Sequence, residues 1–362
     1  MMRHGGEIYG EKTIQYDFSV NINPLGIPEE VCLELRGQMG RFTQYPDRDC
    51  RELRAALERF TGVPAQQILC GNGASELIEA AVRAVRPGSI LLTAPSFSGY
   101  RHAAEGFGAQ ILYHELRRDE AFELTERYLE DLEKRPDMAI LCSPANPVGN
   151  LIDPSLLERI AITCERQGTW LLIDECFMGL VPQEQNPWPY FDTRGLFQQH
   201  PQFKHLLVLD AFTKQFAMPG IRLGYLMAGD TGILEKIRAQ QPEWSVSVPA
   251  QIAGAAALRA PDRYLERSRK LIASERARMS KALAELGFTV YPGAANYIFF
   301  STQAEIFEPL LEEGILIRRC GNYEGLEESD YRVAVLQPEA NDRLLTALRR
   351  IVRGQTLKGV RE

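Results

Sequence analysis

The chain has 362 residues, of which 45% are hydrophobic and 25% are charged, and its formal net charge is −7. This is the composition of an ordinary globular protein, and the acidic balance argues against a dedicated nucleic-acid-binding protein. No apolar run approaches the ~18–20 residues that span a bilayer, and the first residues lack the apolar core of a signal peptide, so we expect a cytoplasmic protein with no membrane partner.

Short apolar runs alternate with amphipathic helical segments between about residues 51 and 228. Seven runs rich in Ile, Leu and Val are typical of buried strands: QQILCG, SILLTA, AQILYHEL, MAILCSP, TWLLIDE, HLLVLDA and RLGYLMA. Helical patterns between them include ASELIEAAVRAV, LTERYLEDLEK and DPSLLERIAITCERQG, the last with an Asp-Pro start and a glycine at its end. This alternation predicts an α/β fold with a mostly parallel sheet and helices on both faces.

The pattern changes after Pro249. A long charged helix is predicted from about Asp262 to Leu286, followed by the short strands FTVYPG, NYIFFST, GILIRRC and YRVAVL and by the helix ANDRLLTALRRIV. We therefore predict two domains. The large one covers residues 41–248, and the smaller α+β domain combines residues 1–40 with residues 249–362.

Several polar or aromatic residues follow the predicted strands, and ligands bind at the carboxyl ends of strands in open α/β sheets. The turn CGNGASEL places Gly73, Ala74 and Ser75 at a helix start, where free amides would suit a phosphate, although Gly-Asn-Gly is also a common turn. Asp174 follows an apolar strand in LLIDECF and fits either a ligand contact or a helix cap or core ion pair. Asn146 in SPANPVG and Phe97 in APSFSGY fit a loop and a core residue as well as a binding site.

The stretch LDAFTKQFAMPGIRLGY places Lys214 in an almost apolar segment, together with Thr213 and Arg222. Desolvation disfavours a charged lysine, and a neutral lysine is a nucleophile towards an aldehyde. With the phosphate-binding turn, Asp174 and Phe97, these residues indicate a site for pyridoxal phosphate. Lys214 would form the Schiff base, Asp174 would pair with the pyridine nitrogen, and Thr213 and Arg222 would bind the phosphate.

The string T-K-x-x-x-x-x-G-x-R-x-G-Y resembles the Schiff-base signature of fold-type I pyridoxal phosphate enzymes of the class I/II aminotransferase group, and NPVG and IDE are similar to that group's other motifs. The resemblance implies that Asn146 bonds the cofactor's 3-hydroxyl and that Phe97 stacks on its ring. It also implies that Tyr45 reaches the phosphate of a neighbouring subunit, in a homodimer with shared active sites. Ala145 and Phe177 depart from the group, which has asparagine and tyrosine at these positions.

Three further stretches resemble one branch of this group, the threonine-phosphate decarboxylases of cobalamin biosynthesis: HGG at 4–6, DFSVNINPLG at 17–26 and ILIRRCGNYEGLEESDYRVAV at 315–335. The resemblance implies a small phosphorylated amino acid as substrate, L-threonine O-3-phosphate. Arg332 would bind its carboxylate, and His4, Asn21 and Arg318 would hold its phosphate. Arg319, next to Arg318, must face the opposite side of its strand and is expected to face solvent.

Alternative functions use the same residues. A histidinol-phosphate aminotransferase would share the core motifs, and serine phosphate, smaller by one methyl, differs by only ~1–3 kcal/mol of discrimination. A non-enzymatic protein with this fold would not need Lys214, Asp174 and Arg222 together. The seven cysteines occur singly and the five histidines show no HExxH spacing, so we expect neither a metal site nor a disulfide framework.

Overall fold

The computed structural model describes residues 5–10, 12–182, 200, 203–259 and 261–359, with the side chains of the last helix described to residue 355. Its strands are β1 (Tyr16–Asp17), β2 (Ile68–Gly71), β3 (Ser89–Ala94), β4 (Gln110–Glu115), β5 (Met138–Cys142), β6 (Trp170–Asp174), β7 (Leu206–Ala211), β8 (Gly224–Ala228), β9 (Thr289–Val290), β10 (Tyr297–Ser301), β11 (Ile315–Leu316), β12 (Arg318–Arg319) and β13 (Asp330–Ala334). All seven strands predicted before residue 229 are present, as β2 to β8.

The helices are α1 (Glu29–Gly37), α2 (Arg51–Thr61), α3 (Ala74–Val85), α4 (Ser98–Phe107), α5 (Arg127–Leu132), α6 (Pro154–Gln167), α7 (Phe212–Gln215), α8 (Thr231–Arg238), α9 (Val248–Ala257), α10 (Pro261–Glu285), α11 (Phe307–Glu312) and α12 (Pro338–Gly359). The predicted ends of α6 are confirmed, because the Asp153 side chain accepts the Leu156 amide and Gly168 ends the helix at φ 77°. Within the described ranges, no helix combines the length and apolarity required to cross a membrane.

The large sheet has seven strands in the order β2-β8-β7-β6-β5-β3-β4. β3 is parallel to β4 and β5, and β6 is parallel to β5 and β7, so the predicted mostly parallel sheet is confirmed. β8 runs antiparallel to both of its neighbours, which the sequence analysis did not predict. The connection from β7 to β8 contains only the four-residue α7 and a single 3-10 turn, Pro219–Ile221, in place of the long crossover helix that usually joins parallel strands.

Helices cover both faces of this sheet, because successive strand residues point to opposite sides. On one face, Leu141 and Ile173 pack in a core that includes residues of α2, α6 and α9. On the other face, Ile140 and Leu172 pack in a core with residues of α3, α4 and α8. The two cores hold the sheet between two helical layers, so its strand ends are left to form a site.

A second, antiparallel sheet has the order β12-β13-β10-β9, and α10 and α12 pack on it through their apolar residues. Phe18, from the N-terminal segment, lies in the same core, and β1 pairs with β11. Val31 of α1 and Ala250 of α9 pack instead in the core of the large sheet. The two-domain division with boundaries near residues 40 and 249 stays a prediction.

Candidate active site

A cavity of about 240 Å³ lies beside the carboxyl ends of β5, β6 and β7. It contains ten residues singled out in the sequence: Asn21, Ala74, Ser75, Phe97, Asn146, Asp174, Thr213, Lys214, Arg222 and Arg332. Three of these are cations and one is a carboxylate, so the cavity favours an anionic ligand.

Lys214 follows the end of β7 on the short helix α7, and its amine lies 5.8 Å from the ring centre of Phe177. Removal from bulk water is the largest cause that lowers the pKa of this lysine to about 8, and the nearby charges of Arg332 and Arg222 lower it further, while Cys176 and Asp174 act in the opposite direction. A pKa near 8 leaves an appreciable fraction of neutral amine at neutral pH. Lys214 is therefore suited to attack a carbonyl group.

Asp174 ends β6 and is 6% exposed. Its Oδ2 accepts a hydrogen bond of 2.7 Å from the Tyr100 hydroxyl, and its Oδ1 accepts one of 2.9 Å from the Cys176 amide. Burial, and then the charge of Asp174, raise the pKa of Tyr100 well above its usual value, so its hydroxyl stays a donor. Both carboxylate oxygens thus have a donor that favours the ionised form.

The helix α3 starts at the cavity without a side-chain cap. The sequence predicted a free amide at Gly73. This prediction is wrong, because the Gly73 N–H donates to the Gly71 carbonyl at 2.8 Å. A Cβ at Gly73, which has φ +86°, would lie 2.6 Å from Nη2 of Arg222, so the glycine is what lets that guanidinium approach the helix start. Ala74 and Ser75 begin the helix beside it, and a helix N-terminus next to an arginine fits a phosphate.

Arg332 lies on β13 with its guanidinium within the cavity lining. Its Nη1 donates to Oδ1 of Asn146, and its Nη2 donates to the Ser19 carbonyl at 2.8 Å. Among the described residues, its Nε and Oδ1 of Asn21 are buried without a hydrogen-bond partner. Buried polar atoms without partners are rare in proteins, and these two fit contacts to a ligand.

Arg318 lies in an adjoining cavity rather than in the one that contains Lys214, and Phe97 and Tyr323 line both. It is the direct cross-strand neighbour of Arg332 in the antiparallel pair β12–β13, and the two arginines are 4% and 5% exposed. Arg318 donates to Asn322 at 2.7 Å, and its Cζ lies 5.1 Å from the Tyr323 ring centre. Arg319 faces the other way and pairs with the exposed Glu305 at 3.2 Å, as expected for a residue at the solvent side.

Another predicted site residue, Tyr45, does not line the cavity. Tyr45 is 81% exposed, and its ring centre lies 4.7 Å from that of Trp244. Its predicted contact with a neighbouring subunit therefore stays a prediction. His4 lies outside the described residues.

Other lining residues were not singled out as site residues in the sequence: Gly5, Ser19, Val20, Tyr100, Cys142, Cys176, Pro219 and Tyr323. Phe177, noted only as a departure from the resemblance, lines the cavity as well. One signal for Tyr100 is its spacing, because it follows Phe97 by three residues and shares the first turn of α4. Cys142 ends β5 and Cys176 lies two residues after the end of β6, and such strand-end positions were available from the sequence.

Comparison with known proteins identifies the family of this chain. The model of the family described as aminotransferase class I and II matches residues 13–348. A threonine-phosphate decarboxylase from Salmonella typhimurium is 37% identical over 362 residues, covering 97% of each chain. A histidinol-phosphate aminotransferase from Desulfitobacterium hafniense is 33% identical over 343 residues, covering 92% of this chain and 91% of that protein.

Solved structures share the fold. The crystal structure of the histidinol-phosphate aminotransferase from Clostridium acetobutylicum has a TM-score of 0.84 and 29% sequence identity, and the match covers 94% of this chain and 99% of that one. The predicted fold class, an α/β fold of the aminotransferase type, is therefore confirmed. With a family model that spans nearly the whole sequence, the chain belongs to the class I and II aminotransferase family.

Proposed function

We propose that this chain is a pyridoxal-phosphate-dependent decarboxylase. It converts L-threonine O-3-phosphate to (R)-1-amino-2-propanol O-2-phosphate, and the branch that its sequence resembles places this reaction in cobalamin biosynthesis. The 37% identity to a threonine-phosphate decarboxylase over 97% of both chains supports the proposal. The substrate is a small amino acid with two anionic groups, a carboxylate and a phosphate.

The observation that carries the proposal is the pair Arg318 and Arg332. The two buried guanidinium groups start from directly opposed residues of adjacent strands, where like charges destabilise a sheet. Arg332 reaches the cavity of Lys214 and Arg318 reaches the adjoining one. A substrate with two anions separated by a short chain would place one anion at each arginine, and planar guanidinium groups bind carboxylate and phosphate through paired hydrogen bonds.

The residues of the cavity fit pyridoxal phosphate as the cofactor. The start of α3, Ser75, Thr213 and Arg222 would hold its phosphate, since Gly73 leaves room for that guanidinium. Phe97 would cover the ring, Asn146 would bond the 3-hydroxyl, and Asp174 would pair with the ring nitrogen. When bound, this cofactor supplies an electron sink for a bond broken at the substrate's α-carbon.

The protein's own residues determine which bond of the substrate is cleaved and where the proton goes. Lys214, with its lowered pKa, would meet the cofactor's aldehyde as a neutral amine and would then hold the proton that the substrate's α-carbon takes up. Arg332 and Arg318 fix the carboxylate and the phosphate, and so decide which bond at the α-carbon is oriented for cleavage. The Phe177 ring close to the Lys214 amine helps to exclude water from it.

The proposal includes a homodimer with shared active sites. Six exposed apolar side chains support it: Ile27, Leu33, Met39, Phe42, Tyr45 and Trp244. Five of the six fall within residues 27–45, and Tyr45 is the residue whose family resemblance assigns it to a neighbouring subunit. A cytoplasmic location stays part of the proposal.

The deciding experiment measures carbon dioxide release by the purified, cofactor-loaded protein given L-threonine O-3-phosphate without a keto acid. We expect one equivalent of aminopropanol phosphate for each carbon dioxide. A Lys214→Ala variant should release none, while Lys270→Ala, which changes an exposed lysine paired with Glu266, should retain full activity.

The second candidate is a histidinol-phosphate aminotransferase, which the 33% identical relative favours. Amino transfer from histidinol phosphate to 2-oxoglutarate, with no carbon dioxide from threonine phosphate, would replace the decarboxylase by this activity. Release of carbon dioxide from serine phosphate at the same rate as from threonine phosphate would instead widen the substrate class to both phosphorylated amino acids.

A further inference from the structure

Tyr100 contacts two of the residues assigned to the cofactor, although the sequence motifs assign it no role. It lies on α4, is fully buried and lines the cavity. Its hydroxyl donates to Oδ2 of Asp174 at 2.7 Å. Its ring meets the Phe97 ring edge-on, with centres 5.4 Å apart and planes at 85°.

We propose that Tyr100 is a positioning residue whose hydrogen bond stabilises the Asp174 carboxylate and orients it towards the cofactor's ring nitrogen, while its ring supports Phe97 against the cofactor. This inference rests on the proposed pyridoxal phosphate site. It adds to that site a residue whose hydroxyl acts on the reaction only through Asp174.

The hydrogen bonds to Asp174 affect the proton that it would share with the cofactor's ring nitrogen. The nitrogen holds such a proton more firmly when the carboxylate anion is stabilised. The hydrogen bonds from Tyr100 and from the Cys176 amide stabilise the Asp174 anion, so they favour a protonated, more electron-withdrawing ring.

Of the other titratable groups near Asp174, the Cys176 thiol also hydrogen-bonds its carboxylate, and a thiol is a weaker donor than a hydroxyl. The thiols of Cys142, at the end of β5, and Cys176, after β6, have pKa values raised by burial and stay neutral. The Cys142 Sγ is directed to the Pro144 carbonyl at 3.1 Å. On α7, Lys214 bonds to the cofactor in the proposed function. Removal of the Tyr100 hydroxyl would leave Oδ2 without this donor.

The test is Tyr100→Phe, which removes one oxygen and keeps the ring against Phe97. The holoprotein is prepared with pyridoxal phosphate labelled with ¹⁵N in the ring, and the nitrogen shift is followed against pH. We expect the wild-type ring nitrogen to stay protonated to higher pH than that of the variant. Turnover should fall roughly tenfold, the loss expected for one hydrogen bond to a charged group, with KM changed less.

Tyr128→Phe is the matched control, because Tyr128 is also fully buried and, among the described residues, its hydroxyl has no hydrogen-bond partner. It should leave the ¹⁵N titration unchanged. In an Asp174→Asn background, Tyr100→Phe should change neither the nitrogen shift nor the turnover further. The melting temperature of each apoprotein separates this effect from a loss of folded protein.

An unchanged ¹⁵N titration in folded, cofactor-loaded Tyr100→Phe would overturn the inference and leave the proposed function intact. An equal effect of Tyr100→Phe with and without Asp174 would also overturn it, since the hydroxyl would then act by another route. A wild-type protein that binds no pyridoxal phosphate would overturn the proposed function first, and this inference with it.

Discussion

At the scale of single residues, the chemistry depends on how strongly the surroundings of Lys214 weaken its amine as a base. Desolvation is the largest contribution to the lowered pKa, and Arg332 is the largest charge contribution. The arginine that would bind the substrate carboxylate therefore also prepares the lysine. Once an anion neutralises Arg332, its effect on Lys214 declines, so substrate binding itself favours proton uptake by the amine.

This coupling predicts a pH dependence for cofactor capture by the apoprotein. The neutral amine is the reactive form, so the capture rate should rise with pH and reach half of its limit at about 8, the pKa of Lys214. In Arg332→Gln the positive charge is lost, the pKa of Lys214 rises, and the midpoint should move to higher pH. Stopped-flow absorbance of bound pyridoxal phosphate measures the rate.

Arg319→Gln is the control, because Arg319 lies on the adjacent strand but pairs with exposed Glu305 on the opposite face. Its midpoint should match that of the wild type. A midpoint that stays near 8 in Arg332→Gln would show that charge at β13 does not act on the lysine.

At the scale of secondary-structure elements, the cofactor phosphate site depends on how α3 begins. Gly73 has φ 86° and ψ 167°, a region that is essentially restricted to glycine, and it leaves the space that the Arg222 guanidinium fills. The helix start and the arginine after β7 belong to segments about 150 residues apart. Their approach therefore requires a residue with no side chain.

Gly73→Ala should displace Arg222 and weaken cofactor binding by roughly tenfold or more, because one lost charged hydrogen bond is worth ~1.5–3 kcal/mol. The dissociation constant of pyridoxal phosphate, measured by fluorescence quenching, checks this. Gly108→Ala is the control, since Gly108 ends α4 at φ +85° and an added Cβ there meets nothing within 4 Å. It should cost about 1 kcal/mol of stability without changing cofactor affinity. Equal affinities in the two variants would contradict the steric argument.

The elements around the site were predictable because their signals are local. Each buried strand of the large sheet appears as a short apolar run, and the ends of α6 follow from Asp153 and Gly168. The direction of β8 was not predicted, because it depends on the length of a connection whose helix, α7, has only four residues. The free amide expected at Gly73 was wrong for a similar reason, since a turn hydrogen bond to Gly71 uses that group.

At the scale of the whole molecule, exposed apolar side chains occur on α1 and in the following residues to Tyr45, whose ring lies 4.7 Å from the tilted ring of Trp244. Exposed apolar groups scattered singly need no explanation, but a cluster of this kind marks an interface. Tyr45 lies outside the cavity of its own chain. A second copy that covers this surface would give Tyr45 a site to complete.

We therefore expect light scattering to give twice the mass of the chain. A double Phe42→Ser, Tyr45→Ser variant should shift the protein towards monomers and weaken cofactor binding. Ile162→Ser removes an equally exposed apolar side chain from α6, outside this surface, and should remain dimeric. A wild-type protein that is monomeric and has full decarboxylase activity would show that Tyr45 is not a site residue. It would also contradict the proposed dimer.

The site residues that lie in sequence motifs were predictable. The contacts that join distant segments were not. Lys214, Asp174, Asn146 and Arg222 lie in recognisable strings, and they converge in one cavity. The contact of Ser19 with Arg332 joins residues 313 positions apart, and no local pattern encodes it. Arg318 was expected to hold the substrate phosphate, and its position opposite Arg332 in the adjoining cavity depends on the register of β12 and β13, which no local pattern encodes.

The opposed arginines on β12 and β13 affect the stability of the protein and the choice of buffer in which it is kept. Replacing one of them by a neutral residue would relieve their repulsion and make the empty protein more robust, at the expense of the substrate that it holds. The protein's thermal tolerance should thus depend on the anions of its buffer, since a bound dianion stabilises only the folded state. Selection for heat resistance alone would tend to discard this pair, and selection for activity would keep it.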